Sequence, residues 1–198
     1  MKPLQALGMQ TGWIYEVIVS TYLGNDPHSA PIGVWTDDLA ALNMEIYSGS
    51  KTLENILERK DFAVNLVADV TFFHDSLFGS ANVEYRESLN IDAPTLSNAS
   101  AVVEARLQRS QDMGNRFRLA ATPVHIELRG PVRLINRAEG LVLESLILST
   151  RRSYLPRLKV QAIFEENYRI VKKVAPGSRY ETIMAGLLAH LDVPVPGS

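Results

Sequence analysis

The sequence predicts an α+β protein with its strands first and most of its helices last. Segments rich in β-branched and aromatic residues fill most of the chain up to about residue 136. Beyond Asn136 the apolar residues fall at spacings of three and four, the period of a helix. One short helix-period segment, near residues 51–60, interrupts the strands. The boundary is therefore placed near residue 136, with a β-rich domain over 1–136 and a helical element over 137–198.

The elements follow in order. "WIYEVIVSTYL", the turn cluster "GNDPHS" and "APIGVW" predict a hairpin over roughly 14–23 and 29–36. "LAALNMEIY" follows as a third, weakly alternating strand. Leu53, Ile56 and Leu57 make one apolar helical face, closed by Arg59 and Lys60, where cations complement the helix dipole. "FAVNLV" is the next strand. "DVTFFHDSLFG" predicts a short helix and "YRESLNIDAPTLSNAS" mostly loop. Strand character returns in "AVVEARLQ", "FRLAATPVHIELRG" and "VRLI". Val124, Ile126 and Leu128 alternate with His125, Glu127 and Arg129, the pattern of a half-exposed strand.

Asn136, with Glu139 three residues on, resembles a capping box. The helix that follows is apolar nearly all round, which predicts burial on several sides. A second helix spans about 158–174 and a third about 178–191, the last with Tyr180, Ile183, Met184, Leu187, Leu188 and Leu191 in one stripe.

Composition excludes several classes of function. At 198 residues, 46% hydrophobic and 21% charged, the chain can bury a globular core and does not read as disordered. A formal charge of −2 offers no general attraction to nucleic acid. The longest apolar run, "LVLESLIL", is too short for a membrane span and is interrupted by Glu144 and Ser145. No secretory leader is read at the N-terminus, so the expected location is the cytoplasm. Without cysteine there are no disulfides, thiolate metal sites or cysteine nucleophiles. The four histidines (His28, His74, His125 and His190) show no metal-ligand spacing, and His28 is expected to be solvated in the hairpin turn. Glu165 is expected to pair with Arg169 across one helical turn.

"YSGSKTLENI" raises the one chemical question in the sequence. It is not a nucleotide triphosphate loop, because Ser50 separates Gly49 from Lys51 and Met44 stands where that motif needs its first glycine. It does place Gly49, Ser50, Lys51 and Thr52 at a helix N-terminus. There unpaired N–H groups, two hydroxyls and one ammonium could hold a monophosphate. Capping by Ser50 or Thr52, with Lys51 in solvent, explains the same residues.

The order of Ser20-Thr21, Ala30-Pro31-Ile32-Gly33, Gly49-Ser50-Lys51-Thr52 with Glu54-Asn55, and Phe62-Ala63-Val64-Asn65 resembles the FMN-binding split-barrel superfamily. That superfamily includes flavin reductases and proteins similar to pyridoxamine phosphate oxidase. The resemblance is nearest to an archaeal and bacterial branch of unknown function that binds FMN. It implies a six-stranded antiparallel Greek-key split β-barrel with a C-terminal helical element. It also implies a homodimer with flavin sites shared between subunits, and a small-molecule electron donor that the residues do not identify.

On this resemblance, backbone groups of Ala30, Pro31, Ile32 and Gly33 serve the flavin ring. Gly49, Ser50, Lys51, Thr52 and Asn55 line the phosphate end. Thr21 and Asn65 are further cofactor contacts. For Asn65 a barrel-closing hydrogen bond stands as an equal alternative, and for Thr21 an ordinary strand-end hydroxyl. Arg106, Arg133 and Arg152 are candidates for a second phosphate contact. No side chain is singled out as catalytic, which suits chemistry carried by a cofactor. A flavin oxidoreductase and a non-catalytic flavin carrier both remain open.

Overall fold

The computed structural model describes residues 2–78, 83–151 and 154–190. Two compact units emerge, one of Met1–Thr11 with Tyr15–Ile135, the other of Gly12–Ile14 with Asn136–Ser198.

The first unit is a closed six-stranded antiparallel barrel. Its strands are β1 (Tyr15–Leu23), β2 (Asp26–Trp35), β3 (Leu42–Tyr47), β4 (Asp61–Leu66), β7 (Ala101–Asp112) and β8 (Arg116–Leu128). A two-stranded ribbon, β5 (Tyr85–Glu87) with β6 (Pro94–Leu96), lies outside the barrel ladder. The barrel order is β1-β2-β3-β8-β7-β4, with β4 closing on β1. The first four strands thus stand in the order 4-1-2-3 of a Greek key. Helix α1 (Lys51–Arg59) joins β3 to β4, and α2 (Thr71–Phe78) follows β4 and packs on β2.

Three local expectations change in this unit. The hairpin turn is Gly24-Asn25 alone, because Leu23 already pairs with Asp26. Gly24 has φ +60°, the sign that the first central residue of a II′ turn requires. Asp26, Pro27 and His28 therefore belong to a strand. Residues 85–96 are not only loop, since they carry the β5–β6 ribbon. "VRLI" adds no strand to the barrel; its one ladder contact is an isolated bridge from Ile135 to Glu16.

β2 gives the barrel its split. It pairs with β1 along its whole length but with β3 only at Val34 and Trp35. Among the described residues no strand covers its other edge from Asp26 to Gly33. The two-residue loop makes Leu23 and Asp26 a hydrogen-bonded pair, and antiparallel pairs then alternate. Pro27, Ser29, Pro31 and Gly33 consequently turn their backbone polar groups away from β1. Both prolines fall where no N–H is needed for the ladder, the placement that an edge strand tolerates.

The second unit consists of α3 (Arg137–Thr150), α4 (Arg157–Val174) and α5 (Arg179–His190). Val142, Phe164, Val171, Met184 and Leu188 form its core, with Trp13 and Ile14 packed against it. Asn136 caps α3 by accepting from the Ala138 N–H, and its Nδ2 donates to the carbonyls of Ile14 and Val174. The α3 helix is not buried all round: Leu143, Leu146 and Ile147 are exposed at 57%, 42% and 36%. Arg169 pairs with Glu166 rather than Glu165, which accepts instead from Gln161. On α5, Met184, Leu187 and Leu188 are buried while Ile183 is exposed; Leu191 lies outside the described residues.

Candidate functional site

The sequence-derived residues meet where β1, β2 and α1 come together. Ser50 is the N-cap of α1, its Oγ accepting from the Leu53 N–H at 3.4 Å. Gly49, just before it, has φ +77°, a conformation that favours glycine. The N–H groups of Lys51 and Thr52 are the first two of the helix and have no intrahelical acceptor. Lys51 is exposed, whereas Thr52 is buried. A helix start with two free donors, one ammonium and one buried hydroxyl is chemically suited to an anion.

Thr52 is not alone. Its Oγ1 lies 3.0 Å from Nε2 of His28, a residue of β2 and not of a solvated turn. His28 stands opposite Thr21 in the β1–β2 register, so the two side chains share one face of the sheet. Asn55, one turn along α1 from Thr52, donates from Nδ2 to Thr21 Oγ1 at 2.9 Å. Thr21, His28, Thr52 and Asn55 thus form one polar cluster, three of its members buried. Burial lowers the basicity of the His28 ring, and the Lys51 charge lowers it further. Beside the cluster runs the open edge of β2, with Ala30, Pro31, Ile32 and Gly33 half-buried.

Asn65 lies elsewhere. It is fully buried and shares a face with Ala63, Val67 and Ile18, opposite to that of Thr21. Its Nδ2 donates to the Ile18 carbonyl at 3.0 Å and to Ser20 Oγ at 2.8 Å. Its Oδ1 accepts from the Leu96 N–H at 2.8 Å, which ties β6 onto the barrel. On this face Ser29 Oγ lies 2.8 Å from the Tyr85 hydroxyl. Burial raises the Tyr85 phenol above its ordinary range, partly offset by Ser29, so it keeps its proton at neutral pH.

Of the three arginines weighed as phosphate contacts, Arg106 is engaged by both Asp61 oxygens, at 2.7 and 3.2 Å. Arg133 also has an interaction partner, and Arg152 lies outside the described residues. The sequence reading missed His28, Ser29 and Tyr85. A signal for the first two was present: Pro27 and Pro31, four residues apart, mark "DPHSAPIG" as an edge strand and place His28 and Ser29 inside it.

Comparison with known proteins gives the same frame. Residues 15–130 match the family described as "Protein of unknown function (DUF447) N-terminal domain". An uncharacterised protein of Methanocaldococcus jannaschii, MJ1453, is 29% identical over 147 residues, which span 70% of this chain and 74% of the relative. Among solved structures, the FMN-bound protein MM1853 of Methanosarcina mazei aligns with a TM-score of 0.57 at 24% identity, over 95% of this chain and 99% of its own. The flavin reductase HpaC, in complex with NADP+, aligns with a TM-score of 0.55 at 16% identity, over 67% and 90% respectively. At these identities the alignments establish a shared fold.

Proposed function

The chain belongs to the DUF447 N-terminal-domain family, and on that premise we propose that it is a flavoprotein that binds FMN and serves as a flavin-dependent oxidoreductase. The observation that carries this reading is the adjacency of two features. One is a strand edge that no described strand pairs with; the other is a helix N-terminus with Lys51 and Thr52.

The two features suit the two ends of FMN. Along the edge, Ser29 and Gly33 supply N–H donors, while Pro27, Ser29 and Pro31 supply carbonyl acceptors. A flavin ring has complementary groups, an imide N–H flanked by carbonyls. Lys51, Thr52 and the first N–H groups of α1 would hold the phosphate. When bound, the flavin would supply the redox chemistry, accepting and passing on electrons. The chain's own part is to bind, orient and shield. The relatives support the reading: an FMN-bound structure and a flavin reductase share this fold.

We also propose a two-fold homodimer with flavin sites shared between subunits, acting with a small-molecule electron donor. Exposed apolar side chains on both units support an assembly: Val124 and Leu128 on β8, and Leu143, Leu146 and Ile147 on α3. The binding reading is tested by the visible spectrum of the purified protein and the mass of what a denaturant releases. Flavin absorbance with the mass of FMN is expected; a colourless protein that takes up no added FMN contradicts it. Anaerobic stopped-flow reduction by nicotinamide and deazaflavin donors then separates an oxidoreductase from a carrier. Among the described residues no helix is long and apolar enough to cross a membrane.

A further inference from the structure

The His28–Thr52 contact has a consequence for any anion at the start of α1. Thr52 has one hydroxyl hydrogen. It is buried, and its described partner is Nε2 of His28, 3.0 Å away. Only two arrangements satisfy that contact. If Nε2 carries no proton, Thr52 donates to the ring and has no hydrogen left for a ligand. If Nε2 carries a proton, the ring donates to Thr52 Oγ1, and the threonine hydrogen is free to turn toward an acceptor. A doubly protonated ring permits only the second arrangement and brings a positive charge beside Lys51.

We infer that His28 is a positioning residue of the phosphate end, coupling anion binding there to protonation of its ring by way of the Thr52 hydroxyl. This rests on the reading that the Ser50–Thr52 turn receives the FMN phosphate. The coupling is reciprocal: a phosphomonoester at α1 favours the protonated ring, and the protonated ring favours the phosphomonoester. The neutral Nε2–H tautomer also frees the threonine hydrogen, without proton uptake; the charged ring, which adds one proton from solvent at Nδ1, is the form that also attracts the anion, and through it binding is coupled to pH. Without an anion the ring is biased to the neutral form, by burial first and by Lys51 second. Lys51 is the charge acting on it. Other ionisable groups on the surrounding elements are Asp26 on β2, Tyr15, Glu16 and Tyr22 on β1, Glu54, Glu58 and Arg59 on α1, and His74 and Asp75 on α2. A bound anion opposes the electrostatic bias that Lys51 creates.

The test compares FMN and riboflavin binding to the dimer or monomer as purified, for wild type, His28→Gln and Lys51→Ala, across about pH 6 to 9. Glutamine keeps a hydrogen-bonding amide near Thr52 but cannot titrate. The expected ratio of FMN dissociation constants, variant over wild type, is about tenfold near pH 6 and under about twofold near pH 8.5. The phosphate's own titration cancels in that ratio. Riboflavin, lacking the phosphate, should show no such pH trend. Parallel FMN profiles for wild type and His28→Gln overturn the inference.

Lys51→Ala separates the two levels of the argument. If it weakens FMN but spares riboflavin, the phosphate reading stands and the His28 ratio alone decides the inference. If it weakens both equally, the phosphate lies elsewhere and the inference falls with that reading. Should His28→Gln fail to fold, proton NMR of the wild-type ring decides, assigned by substituting the other three histidines. A titration midpoint that rises on adding FMN supports the coupling, and an unchanged midpoint overturns it.

Discussion

Asn55 of α1 donates from Nδ2 to Oγ1 of Thr21 on β1 across 2.9 Å, and both side chains are buried. This bond ties the helix that begins at the proposed anion-binding turn to the strand that backs β2. It spans 34 residues of sequence, so neither partner predicts the other. Losing it should cost stability before it costs chemistry. Asn55→Ala and Thr21→Val should each destabilise the fold by about 1–2 kcal/mol, the usual effect of breaking a buried hydrogen bond. The double variant should lose less than the sum, with a coupling of about 0.5–1.5 kcal/mol. Urea unfolding of the four proteins measures this, and strictly additive losses would show that the contact carries no net energy.

The edge of β2 carries the second prediction. Gly33 alternates with Pro31 and Ser29, on the face opposite His28 and Ala30. A β-branched side chain there would stand beside the backbone groups proposed to meet the flavin ring. Gly33→Val should abolish FMN binding while far-ultraviolet circular dichroism and the unfolding midpoint stay close to wild type. Valine suits a strand, so the ladder to Glu16 should tolerate it. Normal FMN affinity in this variant would move the ring off the edge.

Legibility in the sequence followed the range of the interactions. Helix α1 was visible because its periodicity and its Ser50 cap are local. So were β1, β4 and the change to helices at Asn136, where one side chain caps α3 and also binds two carbonyls. The "GNDPHS" segment misled because Asp, Pro and Ser favour turns in general. Here cross-strand pairing of His28, Pro27 and Asp26 with Thr21, Tyr22 and Leu23 extends the strand to Asp26. The β5–β6 ribbon was hidden because its stability is not local: Asn65 and Ser20, far upstream, hold its Pro94 and Leu96 ends. The placement of Thr21 and Asn65 on opposite faces depends on the β1–β4 register, which no single strand reveals.

Acid should weaken the barrel at a definite point. Burial alone would raise the Asp61 carboxyl above its ordinary value of 3.8, but hydrogen bonds from Arg106 and from the Asp92 N–H outweigh it and hold the group lower. A carboxyl depressed on folding contributes stability that is present above its unfolded value and is lost as pH falls through the folded value. Asp61→Asn should therefore cost about 1–2 kcal/mol near pH 7, a hydrogen-bonded ion pair discounted for the half-exposed Arg106. As pH falls through the folded carboxyl's value, which lies below 3.8, the two proteins should converge, since wild type then loses the same charge. Urea midpoints at neutral and acid pH check this; a gap that persists in acid would assign the loss to packing instead.

Assembly is the prediction on which the proposed shared sites depend. A helix in a stable monomer usually keeps its large apolar side chains covered, yet Leu143, Leu146 and Ile147 are exposed on α3, as are Val124 and Leu128 on β8. In a two-fold dimer each such contact occurs twice, so a few side chains per chain add up to a substantial apolar interface. Light scattering at micromolar concentration should give twice the 22.0 kDa chain mass, with one FMN per chain. Introducing Asp at Leu143 and Ile147 together should shift the protein toward monomer if α3 lies in the interface, because two buried carboxylates per chain have no compensating partner. Flavin occupancy followed through the same dilution series then decides the sharing. If each site draws on both chains, FMN is released as the dimer dissociates. A monomer that retains FMN with undiminished affinity would show that each barrel binds its flavin alone.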